Sequence, residues 1–370
     1  MKVLIATGVF PPESGGPATY SKTLLDELPS LGIEVTVVPF RDVRQWPKVI
    51  RHLMYFFILF KKSFSHDVVY AQDPVSVGLP SALAAFLARK PFLLKVVGDY
   101  AWEQATGRFG YTDTIETFQT AELPFMVSTL RAIERWVAKR AVRVVVPSKY
   151  LGRIVASWGV HKKNIHLIYN GIAPESVGLK QVIRGLLRFK GKLLVTSGRL
   201  VPWKGIDGVM RAHAQLRKKY DDLALLVIGS GPEQKHLETL AKELGTTEQV
   251  IFSGVLEKAV ALRYMRAGDV FVLNTRYEGF SHVLLEAAAI GVPTVTTKVG
   301  GNPELIEDNV HGYLVKPDDE KTLMHRIEKL LDSPETRARI SMNAKKRVGN
   351  FSNKKMVEET ATLLKHICAS

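Results

Sequence analysis

The chain has 370 residues, 46% apolar and 24% charged, with one cysteine. That composition excludes a disordered, collagen-like or disulfide-stapled protein, and the length suggests two domains of roughly 150 residues each. Lys and Arg number 51 against 36 Asp and Glu, a net charge of +15 spread over both halves, and such a field attracts phosphate carriers: nucleic acid, anionic lipid or nucleotide-linked molecules.

Residues 1–10, MKVLIATGVF, carry one Lys and run into Pro11-Pro12, so they read as a buried first strand rather than a secretory leader. The most apolar later run, 53–60, is eight residues long, against about 20 for a membrane span. The lone Cys368 fits a reducing compartment, and a cytoplasmic location is the expectation.

Short β-branched runs then alternate with helical stretches. In the first half the runs are 2–7, 33–38, 67–71, 92–97, 142–147 and 165–170. In the second they are 192–198, 223–229, 250–254, 269–274, 292–297 and 311–315. Near-continuous apolar strands between helices predict parallel sheets covered on both faces, here two doubly wound domains. Asn170-Gly171 closes the first set, 174–185 reads as a connector, and 353–368 has helical spacing. Ligands of such sheets bind outside the strand carboxyl ends, which directs attention to the loops there.

The first such loop places Gly15-Gly16 ahead of a helix, where backbone N–H groups approach an anion closely; a plain loop and cap explains the same residues. After the seventh run, Arg199 and Lys204 can hold a diphosphate, the Arg as a fork and the Lys as a point charge, or can be solvated surface cations. The turn Gly229-Ser230-Gly231-Pro232 reads as a plain strand-to-helix connection. After the tenth run, Glu278 lies in a loop, Ser281 is positioned as an N-cap, and Glu286 falls roughly 8 Å along the helix that follows. Two carboxylates so spaced can grip hydroxyls at the ends of an elongated ligand while the N–H groups of Gly279, Phe280 and Ser281 face an anionic middle. Asp73 and Asp99 end strands of the first half and read equally as ligand-facing or as turn and cap residues. No metal-ligand spacing, Asp-x-Asp pair, P-loop or nucleophile elbow occurs. The segment 46–64, with Phe56, Phe57, Phe60 and Phe64 beside Arg51, Lys61 and Lys62, suits either an anionic membrane surface or a core helix.

The segment EGFSHVLLEAAAIGVPTVTTKVGGNPELI (278–306) resembles the donor-site signature of the family-four retaining glycosyltransferases of the group 1 type. SGRLVPWKG (197–205), VIGSGP (227–232), FSGVL (252–256), VPSKYL (146–151) and YNGI (169–172) resemble its other stations in the same order. The resemblance implies an α/β GT-B fold, two Rossmann-like domains facing across a cleft. Residues 1–172 would form the acceptor-side domain, joined by the last helix, 353–370, and residues 173–352 the nucleotide-sugar domain. It implies that Glu286 binds ribose hydroxyls, Glu278 a hydroxyl of the donor sugar, Gly279 to Ser281 the sugar and phosphate, and Arg199 and Lys204 the diphosphate. Gly16 would approach the diphosphate from the other domain, and Val255 would meet the base. Many relatives carry a His where this chain has VVGDYAWE; Asp99 stands in or beside that place as a catalytic or positioning candidate, expected to be charged at neutral pH. The implied activity is metal-independent hexosyl transfer, with retention, from a nucleotide sugar to a glycolipid, polysaccharide intermediate or polyol, without nucleic acid. The basic first domain and its 46–64 segment add the expectation of peripheral contact with the inner face of an anionic membrane. The rival readings are a nucleotide-sugar 2-epimerase and a non-catalytic nucleotide- or nucleic-acid-binding protein.

Overall fold

Among the described residues twelve strands form two six-stranded, wholly parallel sheets, one for each set of apolar runs. The computed structural model describes residues 1–13, 15–173, 177–186 and 190–369. By its internal contacts the chain divides into Met1–Gly171 with Phe351–Ser370, and Ile172–Asn350.

The first unit holds β1 (Lys2–Thr7), β2 (Glu34–Pro39), β3 (Val68–Ala71), β4 (Phe92–Lys95), β5 (Arg143–Val146) and β6 (Ile165–Leu167) in the order β2-β1-β3-β4-β5-β6. Its helices are α1 (Gly16–Glu27), α2 (Lys48–Ser63), α3 (Gly78–Leu87), α4 (Tyr100–Phe109), α5 (Ile115–Phe118), α6 (Phe125–Arg140) and α7 (Lys149–Ser157). In the second unit, α8 (Lys180–Leu186) precedes β7 (Leu193–Ser197), α9 (Ile206–Leu216), β8 (Ala224–Ile228), α10 (Gln234–Glu243), β9 (Val250–Gly254) and α11 (Lys258–Ala267). There follow β10 (Val270–Leu273), α12 (His282–Ala289), β11 (Thr294–Thr297), α13 (Asn302–Leu305), β12 (Tyr313–Val315), α14 (Glu320–Asp332) and α15 (Pro334–Val348). The sheet order is β12-β11-β10-β7-β8-β9. The chain ends in α16 (Asn353–Ala369), which packs in the first unit.

Helix starts follow local chemistry. Asp99, Thr114, Ser148, Ser281, Asp319 and Ser333 are N-caps whose side chains accept the N–H three residues on, filling one of the donors a helix start leaves unmatched. The stretch expected to be a connector is corrected in part: 174–176 lies outside the described residues, but α8 is a helix beside α11. Asp269 holds it there, accepting from Lys180 Nζ and Arg184 Nη2 at 2.6 Å each, a contact too distant in sequence to be read from the stretch itself.

Val3, Ile5, Tyr70 and Leu93 of the first sheet pack against Tyr20 and Leu24 of α1 and Met356, Val357 and Leu364 of α16. A charged group lies in this core: the buried Lys95 Nζ donates to Asn170 Oδ1 at 3.0 Å and lies 3.3 Å from the Tyr20 ring centroid. Burial pulls the Lys95 ammonium well below its ordinary pKa. Because α16 covers strands that begin the chain, Leu364→Ala is expected to destabilise the protein by about 2–5 kcal/mol, measured as a shift of the denaturant midpoint. A change under about 1 kcal/mol would show that the site collapses around the loss.

Candidate functional site

In the second sheet β7 pairs with β8 on one side and β10 on the other. The strand order therefore reverses between β7 and β10, and at such a switch point the two departing loops diverge to opposite faces, leaving a crevice outside the strand ends. The donor-side residues found in the sequence gather around it. Arg199 and Lys204 lie on the loop leaving β7, Glu278 to Ser281 on the loop leaving β10, and Glu286 on α12.

These loops are held backbone to backbone. A Cβ on Gly300 would run into the Glu278 carbonyl, one on Gly205 into the Asn274 carbonyl, and one on Gly229 into the Gly198 carbonyl. Hydrogen bonds lock the same loops: the Thr275 side-chain Oγ1 donates to the Trp203 carbonyl at 2.9 Å, and the main-chain N–H of Arg276 to the same oxygen at 2.7 Å. Gly301 N–H donates to the Glu278 carbonyl at 2.9 Å. The Gly229 turn, plain in the sequence, thus supports the Arg199 loop; glycine on both sides of Ser230 was the available signal.

Lys204 Nζ and Glu278 form an ion pair, Glu278 buried and the Lys largely so. The sequence assigned them separate tasks; the structure makes them one unit, in which the carboxylate fixes the ammonium while leaving it further N–H donors. The Arg199 side chain is exposed and reaches no hydrogen-bond partner among the described residues, while its carbonyl accepts Val201 N–H at 3.0 Å. Ser281 Oγ accepts from Leu284 N–H at 3.4 Å, so α12 starts where the sequence placed it. Gly279 and Phe280 are buried before its first turn, and Glu286 is half-buried one turn in. Val255, 65% exposed, follows the edge strand β9.

In the first unit Gly16 is the first residue of α1, after Gly15 at φ 146°. Asp73 Oδ1 accepts the N–H groups of Val75 and Ser76 at 2.9 and 2.6 Å, the turn role among its two readings. Asp99 departs from the expectation of a freely charged carboxylate. It is 1% exposed, its Oδ1 accepts Trp102 N–H at 2.8 Å, and its Oδ2 accepts Gln119 Nε2 at 2.8 Å. Glu134 of α6, equally buried, accepts the N–H groups of Tyr100 and Ala101 at 2.9 and 3.3 Å. Two carboxyls therefore cap one helix start. Burial raises both pKa values, Glu134 well above the ordinary range with the Asp99 charge as its second cause; two like charges at one buried helix start each disfavour the ionisation of the other. Glu134 was missed, although its place among Val127, Val137 and Ala138 on the inward face of α6 marked it.

Among the described residues no cluster of three or more His, Cys, Asp or Glu side chains is arranged to hold a metal ion, and no helix is long and apolar enough to cross a membrane.

Residues 182–347 match the family model for glycosyl transferases group 1, and residues 14–176 that for glycosyltransferase family 4. An uncharacterised glycosyltransferase of Methanocaldococcus jannaschii is 29% identical over 64% of this chain and 63% of its own length. An N-acetylgalactosaminyltransferase of Campylobacter jejuni, named for a diphospho-undecaprenol-linked substrate, is 29% identical over 57% and 56%. The chain thus spans less than two thirds of the length of either curated relative. The crystal structure of the Anabaena protein HepE with UDP and glucose superimposes with a TM-score of 0.79 at 21% identity, covering 99% of this chain and 100% of that one. With the two parallel sheets, that likeness shows the GT-B fold.

Two predictions follow from the loop contacts and the carboxyl pair. Gly300→Ala, at φ 55° against the Glu278 carbonyl, is expected to cost about 3 kcal/mol. Gly245→Ala, at φ 65° with open space around it, should cost about 1 kcal/mol; equal losses in denaturant melts would mean that backbone strain alone is at work. The raised carboxyl pair contributes stability that is fully present below its unfolded pKa and lost as pH rises through the folded value. Glu134→Gln removes the more strongly raised carboxyl and should flatten that decline above about pH 5, and an unchanged slope of unfolding free energy against pH would contradict the raised pair.

Proposed function

The chain belongs to the glycosyltransferases of group 1 and family 4, and from that premise we propose that it moves a hexose from a nucleoside-diphosphate sugar to a hydroxyl acceptor, with retention and without a metal ion. The observation that carries this reading is the Lys204–Glu278 pair at the switch point of the second sheet, beside the start of α12.

Breaking the bond between the sugar and the diphosphate leaves an oxocarbenium-like ring and an additional negative charge on the leaving group. Arg199, the remaining donors of Lys204 and the first N–H groups of α12 supply fixed positive potential to that charge, the task a metal performs elsewhere. Glu278 accepts a hydroxyl of the donor sugar, Glu286 the ribose hydroxyls, and Val255 lies against the base. Gly279 to Ser281 line the sugar and phosphate, and Gly16 is assigned to the diphosphate on the family resemblance alone. The acceptor oxygen bonds to the anomeric carbon on the face the leaving oxygen departs, and its proton passes to that phosphate oxygen, so no protein nucleophile is needed. Asp99, with both oxygens engaged, acts as a positioning residue that with Glu134 sets the start of α4.

The relative's name supports a lipid-linked acceptor, met at the cytoplasmic side of a membrane. The relatives' names also favour transfer over epimerisation.

Transfer is tested by incubating the protein with UDP-, GDP- and ADP-sugars and an acceptor panel in EDTA, and reading the product anomer by NMR. One donor class should react with unchanged anomeric configuration, and Glu286→Ala should raise the donor KM about tenfold or more, the loss of one or two charge-assisted hydrogen bonds. Inversion, or activity that appears only after a divalent cation is restored, would overturn the mechanism.

A further inference from the structure

Every exposed phenylalanine and tryptophan among the described residues belongs to the first unit. In that unit α2 packs beside α3 and α3 beside α6, while α1 packs with α16. Right-handed crossovers place the first three together on one face of the sheet and α1 on the other.

α2 is apolar on both sides. Tyr55 and Leu59 are fully buried against the sheet, yet Ile50, Leu53, Met54 and Phe57, spaced as one helical stripe, face outward and are exposed. α3 repeats the pattern with Leu83, Phe86 and Leu87. A helix on the surface of a water-soluble unit ordinarily turns polar residues outward, and two adjacent apolar stripes are more than the single exposed side chains of a normal surface. The most exposed large apolar residues among those described, Phe125 at 85% and Val49 at 82%, stand at the starts of α6 and α2. Helices between parallel strands start at the strand carboxyl ends, the end of this unit where Asp99 lies.

The charges select what covers this face. α2 and α3 contain no Asp or Glu, and the one acid of α6, Glu134, is buried. α2 ends in Lys61 and Lys62, α3 is followed by Arg89 and Lys90, and α6 ends in Lys139 and Arg140, the last over the exposed Trp136 ring at 5.0 Å. The three helices run in the same direction between parallel strands, so these cations gather along one end of the face. A second copy would bring like charge against that border. An anionic bilayer offers hydrocarbon to the apolar stripes and phosphate to the cations.

We propose that the α2–α3–α6 face of the first unit docks on an anionic lipid bilayer, with its apolar stripes in the interface and its basic border on the headgroups. This names the surface behind the membrane-side acceptor reading and in that respect rests on it, although the face carries none of the donor-side residues.

Flotation of the intact chain with phosphatidylcholine vesicles, and with the same vesicles carrying about 30 mol% phosphatidylglycerol, tests it. The protein should float with the anionic vesicles and stay behind with the neutral ones. Phe86→Glu with Phe125→Glu should reduce the bound fraction about tenfold, and Lys61→Glu with Lys62→Glu should abolish the preference for phosphatidylglycerol. Nucleoside-diphosphate titration of each variant reports on the second unit separately, so loss of flotation with intact nucleotide binding isolates the docking surface from the transfer reading. Circular dichroism melts of both variants exclude unfolding as the cause. Wild-type protein that ignores anionic vesicles, flotation unchanged in both variants, or a wild-type dimer by light scattering that Phe86→Glu turns into a monomer would each overturn the proposal.

Discussion

Parallel sheets that grow outward from a central strand must reverse direction somewhere, and in the second unit that happens between β7 and β10. The two loops leaving those strands turn to opposite faces, so neither covers the sheet end between them. What keeps the gap narrow is contact of main chain with main chain, at Gly205 on Asn274 and Gly300 on Glu278. The Lys204–Glu278 pair depends on both contacts: the first positions the end of the turn that carries the ammonium, the second the backbone of its carboxylate partner. A charge pair this shielded from water is costly to leave half-matched, which fixes both side chains before any ligand arrives.

The strands, the start of α12 at Ser281 and the places of Arg199, Lys204 and Glu278 in loops after strands were legible because each rests on a local pattern: β-branched runs, a capping residue, and a place at a strand's carboxyl end. The strand order that makes those loops neighbours was not. What stayed hidden depends on contacts distant in sequence. Lys204 and Glu278 are 74 residues apart, and spacing gives no hint that one would hold the other. Asp99 reads as an ordinary carboxylate until α6 brings Glu134 to the same helix start. The stretch 174–185 reads as a connector, whereas Asp269, 85 residues or more away in sequence, anchors Lys180 and Arg184 within a helix.

The first unit spends its buried polar groups differently. Asp99, Glu134, Gln119 and Trp158 form one connected set, Trp158 Nε1 donating to Gln119 Oε1 at 2.9 Å and Gln119 Nε2 to Asp99, while Asp99 and Glu134 fix the start of α4 beyond the carboxyl end of β4. The second unit keeps Arg199 exposed and aims a helix start at its crevice. One unit is rigidified by matched polar groups and the other presents cations; the basic net charge of the whole chain adds long-range attraction for anions to both.

A structure of the protein with a nucleoside diphosphate in EDTA addresses the central claim most directly. The diphosphate is predicted to lie at the start of α12 within hydrogen-bonding reach of Arg199 and Lys204, with the ribose on Glu286 and no metal density beside it. A diphosphate bound elsewhere, or bound there only through a divalent cation, would contradict the account.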